Sequence, residues 1–113
     1  MKAKRVQRKR VKGFKLPENT VCVNRGTKFG NPFKIELGMT RHMACQAFED
    51  CLLNNAMVYR WFNNFDESRK QFERFKWMAK NIGLLKSKNL ACFCDLDFEC
   101  HADILLELAN GRS

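Results

Sequence analysis

LACFCDLDFECHADILLELA, residues 90–109, joins a short apolar run to a helical pattern and decides the predicted fold. Residues 90–93 follow four polar residues, and such a run predicts a short buried strand. The apolar residues at 104, 105, 108 and 109 predict the inner face of a final helix that Gly111 ends. A buried strand followed by a helix is typical of a layered α/β domain.

The rest of the chain supplies one further strand and more helices. The β-branched run around Val21 predicts a strand from Thr20 to Asn24. A repeat of apolar residues predicts a helix over about 41–54, with Thr40 as its N-cap. A second helix is predicted to begin after Asp66 or Ser68 and to end at Gly83.

This order of elements favours parallel strand pairing, because helical crossovers connect parallel strands. We therefore expect an α/β fold in which a small parallel sheet is covered by helices, in one domain over residues 16–113. Residues 33–37 are a candidate third strand. The segment 56–65 is rich in aromatic residues and is expected to be a connection or a short extra helix.

The net charge of +9 is concentrated in the first third of the chain. Residues 1–34 contain eleven Lys or Arg and one acid, whereas residues 35–113 contain ten Lys or Arg and eleven acids. Residues 1–15 hold few apolar side chains, which predicts a basic arm outside the domain. Such an arm attracts polyanions, or is a solvated tail that only aids solubility. Its candidate nucleic-acid contacts are Arg5, Arg8, Lys9, Arg10 and Lys12.

Apolar runs and cysteine usage favour a cytoplasmic protein. No run approaches the roughly 20 apolar residues that span a bilayer, and the basic N-terminus lacks the apolar stretch of a signal peptide. We expect no membrane association. The six cysteines are then thiols, metal ligands or small core residues rather than disulfides.

Two loops follow the predicted strands, and ligands bind where such loops meet at the carboxyl edge of a parallel sheet. The first loop is rich in glycine, amide and cationic side chains, and the second leads from Cys94 to a helix that begins near Cys100. If the strands are neighbours, both loops face one crevice. The candidate ligand-binding residues of the first loop are Asn24, Arg25, Gly26, Lys28, Gly30 and Asn31.

The second loop allows three interpretations. Cys92, Cys94, Cys100 and His101 are a candidate zinc-ligand set, since thiolate and imidazole suit zinc, although their spacing differs from that of paired C-x2-C sites. Alternatively, Cys94 or Cys100 is a catalytic nucleophile with His101 as its base, because a helix N-terminus lowers the pKa of a nearby thiol. The third interpretation is that these residues only pack.

The two ends of the chain together resemble a known family. RVQRKRVKGFKLPENTVCVNRGTKFGNPF and LACFCDLDFECHADILLELAN are similar to domain of unknown function 4326, a family of small bacterial and phage proteins. Its members show a basic R-x-x-R-x-R lead, a G-x-x-x-G-N-P-F loop, and a C-W-C followed by C-H. Phe93 stands here where the family has Trp, and Asp95, Asp97 and Glu99 make the second loop acidic.

The resemblance implies a Rossmann-like domain of a phage or its host, located in the host cytoplasm if phage-encoded. It also implies one shared site for both motifs, and it carries no assigned reaction. We expect an accessory protein that binds a phosphate-bearing ligand, either a nucleic acid or a nucleotide. The alternatives are a cysteine-dependent enzyme acting on a nucleotide or base, and a zinc-containing module that binds a host protein.

Overall fold

Three short strands and four α-helices form the fold of the computed structural model, which describes residues 3–35 and 38–111. The strands are β1 (Arg5–Gln7), β2 (Thr20–Cys22) and β3 (Asn89–Cys92). The helices are α1 (Arg41–Leu53), α2 (Val58–Trp61), α3 (Phe65–Asn81) and α4 (His101–Asn110), and 3-10 turns cover Asn55–Met57 and Ile82–Leu85. Among the described residues, no helix has the length and apolar character needed to cross a membrane.

The sheet has the order β1-β3-β2, and both outer strands run parallel to β3. Val6 lies opposite Ala91 on one side, and Val21 lies opposite Leu90 on the other. The central position of β3 explains why Leu90, Ala91 and Cys92 are all buried, since both faces of a central parallel strand are usually covered by helices. The predicted α/β fold with a parallel sheet is confirmed.

The N-terminal segment differs from the expected arm. Residues 5–7 form a strand of the sheet, and the backbone N–H of Arg8 continues the ladder by donating to Cys92 O at 2.7 Å. A segment with one apolar side chain in three becomes a strand because its backbone groups pair with β3. The basic residues at 5–8 therefore belong to the domain, and the predicted boundary after residue 15 does not separate an arm from it.

Two further sequence predictions need correction. Residues 33–35 of the candidate third strand contain no strand, and residues 36 and 37 lie outside the described residues. The cap of α3 is Asn64, whose side chain accepts from Glu67 N, rather than Asp66 or Ser68. Ser68 is instead buried inside the helix, where its hydroxyl donates to Phe62 O.

Helix α1 begins where the sequence predicts. The Thr40 hydroxyl accepts from Met43 N, which satisfies one of the free N–H groups of the first turn. Its buried face carries Ala44, Ala47, Phe48 and Cys51, and this face packs into the core against α3 and α4. The start of α1 lies next to the segment that follows β3, since the Arg41 guanidinium is 3.7 Å from Cys94 Sγ.

Arg5 ties β1 to the loop between β3 and α4. Its guanidinium donates to Phe98 O at 2.8 Å, to Asp95 O at 2.9 Å and to the Asp103 carboxylate at 2.9 Å. The Arg5 side chain is only 7% exposed, whereas that of Asp103 is 51% exposed. Arg5 therefore positions this loop, and it is not available as the nucleic-acid contact that the sequence analysis expected.

Replacing Arg5 should destabilise the fold. Arg5→Ala removes three hydrogen bonds to the loop and to Asp103, and hydrogen bonds to charged groups each contribute about 1.5–3 kcal/mol. We expect the free energy of unfolding in urea to fall by about that amount. Lys12→Ala, at an exposed position, is the control and should change it by less than about 0.5 kcal/mol. Equal effects of the two substitutions would contradict the anchoring role of Arg5.

Gly30 is required where the loop after β2 folds back on itself. A Cβ at this position would lie 2.8 Å from Asn24 O and 3.0 Å from Arg25 Cα, and both are backbone atoms that cannot easily move. We expect Gly30→Ala to lower the free energy of unfolding by about 1–3 kcal/mol, as overpacking does.

Gly83→Ala is the matched control, because nothing lies within 4 Å of a Cβ placed there. Urea denaturation should show it to be neutral or slightly stabilising, since alanine restricts the unfolded chain. A Gly30→Ala variant as stable as Gly83→Ala would refute the close approach at Gly30.

Candidate functional site

A pocket of about 240 Å³ lies at the carboxyl ends of all three strands, and we call it the strand-end pocket. Segments that follow β1, β2 and β3 contribute to its wall, together with the first turns of α1 and α4. It is lined by Arg10, Asn24, Arg25, Asn31, Ile35, Arg41, Ala44, Cys45, Cys92, Phe93, Cys94, Glu99, Cys100 and His101. The loop after β2 and the Cys/His cluster thus share one crevice.

Two asparagines give the loop after β2 its shape. Asn24 accepts from Arg8 through Oδ1, and Asn24 O accepts from the backbone N–H and hydroxyl of Thr27. Asn31 is buried, donates to Ala44 O and accepts from Phe33 N, which fixes the loop to α1. Both amide side chains are used inside the protein, so their role in the pocket is to hold its wall.

Arg25 is the residue of this loop that brings charge to the pocket. It is exposed, and its guanidinium donates to Asn31 O on the other side of the loop. Gly30 lines no part of the pocket, and its N–H already donates to Thr27 O at 3.0 Å. The N–H of Gly30, one of the candidate ligand-binding residues, is therefore already paired within the loop.

Gly26 and Lys28 face a different part of the surface. They line a second, more open pocket with Thr27, Arg74 and Trp77. The Lys28 ammonium lies 5.1 Å from the centre of the Trp77 ring, a cation–π distance. These two predicted ligand-binding residues are not brought together with the cysteines.

The basic residues that follow β1 divide into distinct roles. Arg8 and Arg10 lie over the Phe93 ring, with guanidinium carbons 4.7 and 4.3 Å from its centre. Arg10 also lines the strand-end pocket. Lys9 and Lys12 are exposed and line none of the pockets described here.

The sulfur atoms of Cys92, Cys94 and Cys100 all lie within 4.8 Å of one another. Cys92 is the last residue of β3 and Cys100 is the N-cap residue of α4, and both are buried. Cys94 is half-buried in the loop between them. Cys92 Sγ and Cys100 Sγ are 2.9 Å apart, and all six cysteines are free thiols. This is the densest group of sulfur in the described part of the chain.

Hydrogen bonds among the three cysteines shift their pKa values in opposite directions. Hydrogen bonds from Cys100 and Cys92 lower the pKa of Cys94 to about 2, and the Arg41 guanidinium, 3.7 Å from its sulfur, acts in the same direction. The same hydrogen bonds and burial raise the pKa of Cys100. For Cys92, the bond to Cys100 lowers the pKa, but Cys94 and burial outweigh it and the pKa rises. Negative charge is thus concentrated on Cys94.

The structure corrects the expected reactivity of Cys100. Position at a helix N-terminus predicts a lowered pKa, but Cys100 is almost fully buried and donates to neighbouring sulfur. Desolvation and hydrogen bonding raise the pKa of Cys100 by more than the helix N-terminus lowers it. Of the two candidate nucleophiles, only Cys94 combines thiolate character with access to the pocket.

His101 is a buried, neutral side chain. Burial lowers its pKa to about 4, and its ring packs edge-on against Phe48 at 5.1 Å. Nε2 donates to Val23 O, which leaves the Nδ1 lone pair directed at Cys100 Sγ, 3.6 Å away. Among the described residues, the side chains whose ligand atoms all lie within 4.8 Å of one another are Cys92, Cys94 and Cys100, and His101 does not belong to this group. Of the four predicted metal ligands, the structure therefore brings three together.

Comparison with known families gives one match, to Domain of unknown function (DUF4326), over residues 6–111. The match covers all of the second quoted motif and all but the first residue, Arg5, of the first motif and of β1; it extends past the end of α4. The chain belongs to the DUF4326 family. No curated protein and no solved structure matches it.

In this DUF4326 member, sequence reasoning missed Arg41, Glu99 and Cys45 as pocket residues. One feature of the sequence could have revealed Arg41 as a functional residue. Arg41 occupies the first turn of α1, where the helix dipole disfavours a cation, and that turn contains no acid. Its guanidinium instead contacts Cys94 and lies 4.8 Å from the centre of the Phe98 ring.

The acidic residues of the second loop are not equivalent. Asp95 and Asp97 do not line the strand-end pocket, and the Asp95 carboxylate accepts from Asp97 N within the loop. Glu99 does line it, and its carboxylate lies 3.1 Å from His42 Nδ1. Of these three acidic residues, only Glu99 therefore lines the pocket.

Alkylation at several pH values should distinguish two pocket cysteines, Cys94 and Cys45, whose pKa values are shifted in opposite directions. With chelator present, the rate at Cys94 should be nearly constant from pH 6 to 9, because the thiolate is already formed. The rate at Cys45, whose pKa burial raises to about 11, should rise about tenfold per pH unit.

Peptide mass spectrometry after limited iodoacetamide treatment measures both rates in one sample, so Cys45 is an internal control. The slope with pH is the useful quantity, because a low pKa also lowers intrinsic nucleophilicity and makes absolute rates uninformative. A tenfold rise per pH unit at Cys94 would contradict its thiolate character.

Proposed function

We propose that this protein binds a small phosphate-bearing ligand, of nucleotide size, in the strand-end pocket. One observation carries the proposal: Arg10, Arg25 and Arg41 come from three separate segments of the chain and line the same pocket. Arginine binds phosphate oxygens through paired N–H groups, and three converging guanidinium groups favour an anion.

The charge balance of the pocket supports an anionic ligand. Three arginines line it against one carboxylate, that of Glu99, which lies beside His42. The Cys94 thiolate adds a second negative charge, which Arg41 faces directly. Arg10 and Arg25 are both exposed and are therefore accessible to a ligand from solvent.

Size restricts the ligand to a small one. The pocket holds about 240 Å³, slightly below the roughly 300–1,000 Å³ of pockets that enclose drug-sized molecules. A mononucleotide or a smaller phosphorylated compound suits this volume, and a dinucleotide cofactor does not. The position at the carboxyl ends of three parallel strands is also the usual ligand position of such sheets.

The placement of the basic residues favours a nucleotide over a nucleic acid. Binding along a nucleic-acid backbone needs a row of cations free to reach successive phosphates. Arg5 is instead buried against the loop before α4, and Arg8 is bound to Asn24. Only part of the expected arm can therefore contact phosphate.

A cysteine-dependent enzyme acting on a nucleotide or base is the second candidate. The observation that favours it is the position of Cys94, which is half-exposed in the same pocket as the three arginines. A ligand whose phosphate binds Arg25 would lie beside this sulfur. Protection of Cys94 from alkylation by a bound nucleotide would support this arrangement, and unchanged labelling would count against it.

Calorimetry with matched ligands tests the leading proposal. A nucleoside 5′-monophosphate should bind about tenfold to a hundredfold more tightly than its nucleoside, since charge-assisted hydrogen bonds contribute about 1.5–3 kcal/mol. Arg25→Gln and Arg10→Gln should each remove a similar part of the affinity for the monophosphate.

Lys70→Gln is the control, because Lys70 is an exposed cation on α3 that does not line the pocket. It changes net charge by the same amount as the arginine substitutions, so it separates a local contact from the general field of the protein. Equal binding of nucleoside and monophosphate, or equal losses in all three variants, would reject the proposal.

A further inference from the structure

The three clustered cysteines have the spacing that one metal ion requires. Sulfurs bound to a tetrahedral zinc at about 2.3 Å lie about 3.8 Å from one another. The observed separations run from 2.9 Å, between Cys92 and Cys100, to no more than 4.8 Å, which brackets this value. Small side-chain movements are enough to bring all three onto one ion.

The backbone around the cluster already supports charged sulfur. The N–H of Cys94 donates to Cys92 Sγ at 3.4 Å, and the Arg41 guanidinium lies 3.7 Å from Cys94 Sγ. Hydrogen bonds to ligating atoms hold metal ligands in place and tune the bound ion. Three thiolates on one divalent cation leave a net charge of about −1, which Arg41 is placed to balance.

The fourth coordination position is not filled by His101. Its Nε2 donates to Val23 O, and its Nδ1, although 3.6 Å from Cys100 Sγ, does not lie within 4.8 Å of all three sulfurs. All three cysteines line the strand-end pocket, so an ion between their sulfurs lies at the wall of that pocket. Three protein ligands with one open position is the arrangement of catalytic rather than structural zinc sites.

We propose that Cys92, Cys94 and Cys100 bind one zinc ion, with its fourth coordination position open to the strand-end pocket. Three soft sulfur ligands on a short loop suit zinc and disfavour magnesium and calcium, which take oxygen ligands. The proposal does not depend on the nature of the phosphate-bearing ligand. The open position adds a place where water or an anionic group can bind beside the arginines.

Zinc affinity of the whole chain is the direct test. Reduced protein, freed of metal and titrated with zinc against a chromophoric chelator, should take up about one ion per chain. Cys94→Ser should weaken binding by more than about a hundredfold, since even changes beyond the direct ligands cost ten- to a hundredfold.

Cys22→Ser is the matched control, because Cys22 is also half-buried but lies on β2 outside the cluster. Circular dichroism of each metal-free variant establishes that it folds, and Cys94 is chosen because its neighbours are more deeply buried. Equal zinc affinity in the Cys94→Ser and Cys22→Ser variants would overturn the proposal. So would folded wild-type protein that takes up no zinc, or an intact mass lacking two hydrogens through a Cys92–Cys100 disulfide.

Cobalt substitution tests the ligand set and the open position separately. Thiolate-to-cobalt absorption should be intense in the wild type and lower by about a third in Cys94→Ser, which loses one of three sulfurs. Added imidazole should shift the visible bands of the wild type by occupying the fourth position. Unchanged bands would overturn the open position. Because neither measurement uses a nucleotide, failure here is distinguishable from failure of nucleotide binding.

Discussion

Parallel pairing of β3 with a strand on each side is the constraint on which the rest of the structure depends. The Val23 N–H donates to Ala91 O on one side, and the Arg8 N–H donates to Cys92 O on the other. All three strands therefore end at the same edge. The segments that follow them are forced together there, and these segments carry the arginines and cysteines of the pocket.

Several polar side chains at that edge form hydrogen bonds within the protein. Asn24 and Asn31 shape the loop after β2, while Arg5 holds the loop after β3 from the opposite side of the sheet. Fixed loops matter for a site of this kind, because converging guanidinium and thiolate groups act together only if their positions are maintained. These internally hydrogen-bonded side chains thus hold the walls of the pocket in place.

The sequence predicts the helices and the central strand well because their signals are local. The apolar run at β3 and the Thr40 cap of α1 are each visible within a few residues. β1 has no such signal, since Arg5–Gln7 is a strand only because its backbone pairs with residues 85 positions further along. The parallel topology predicts that Arg25 and the cysteines meet at one edge of the sheet. The burial of Cys100 depends on tertiary packing, which the spacing of residues in the sequence does not reveal.

The pairing of β1 has a consequence for biosynthesis. Chains are made from the N-terminus at about 5–20 residues per second, and segments fold when their partners become available. β1 and β2 have the same partner, and it is the last strand of the chain. Neither can dock until the ribosome has released residues 89–92, so sheet formation is a late event, while α1 and α3 have their local contacts earlier.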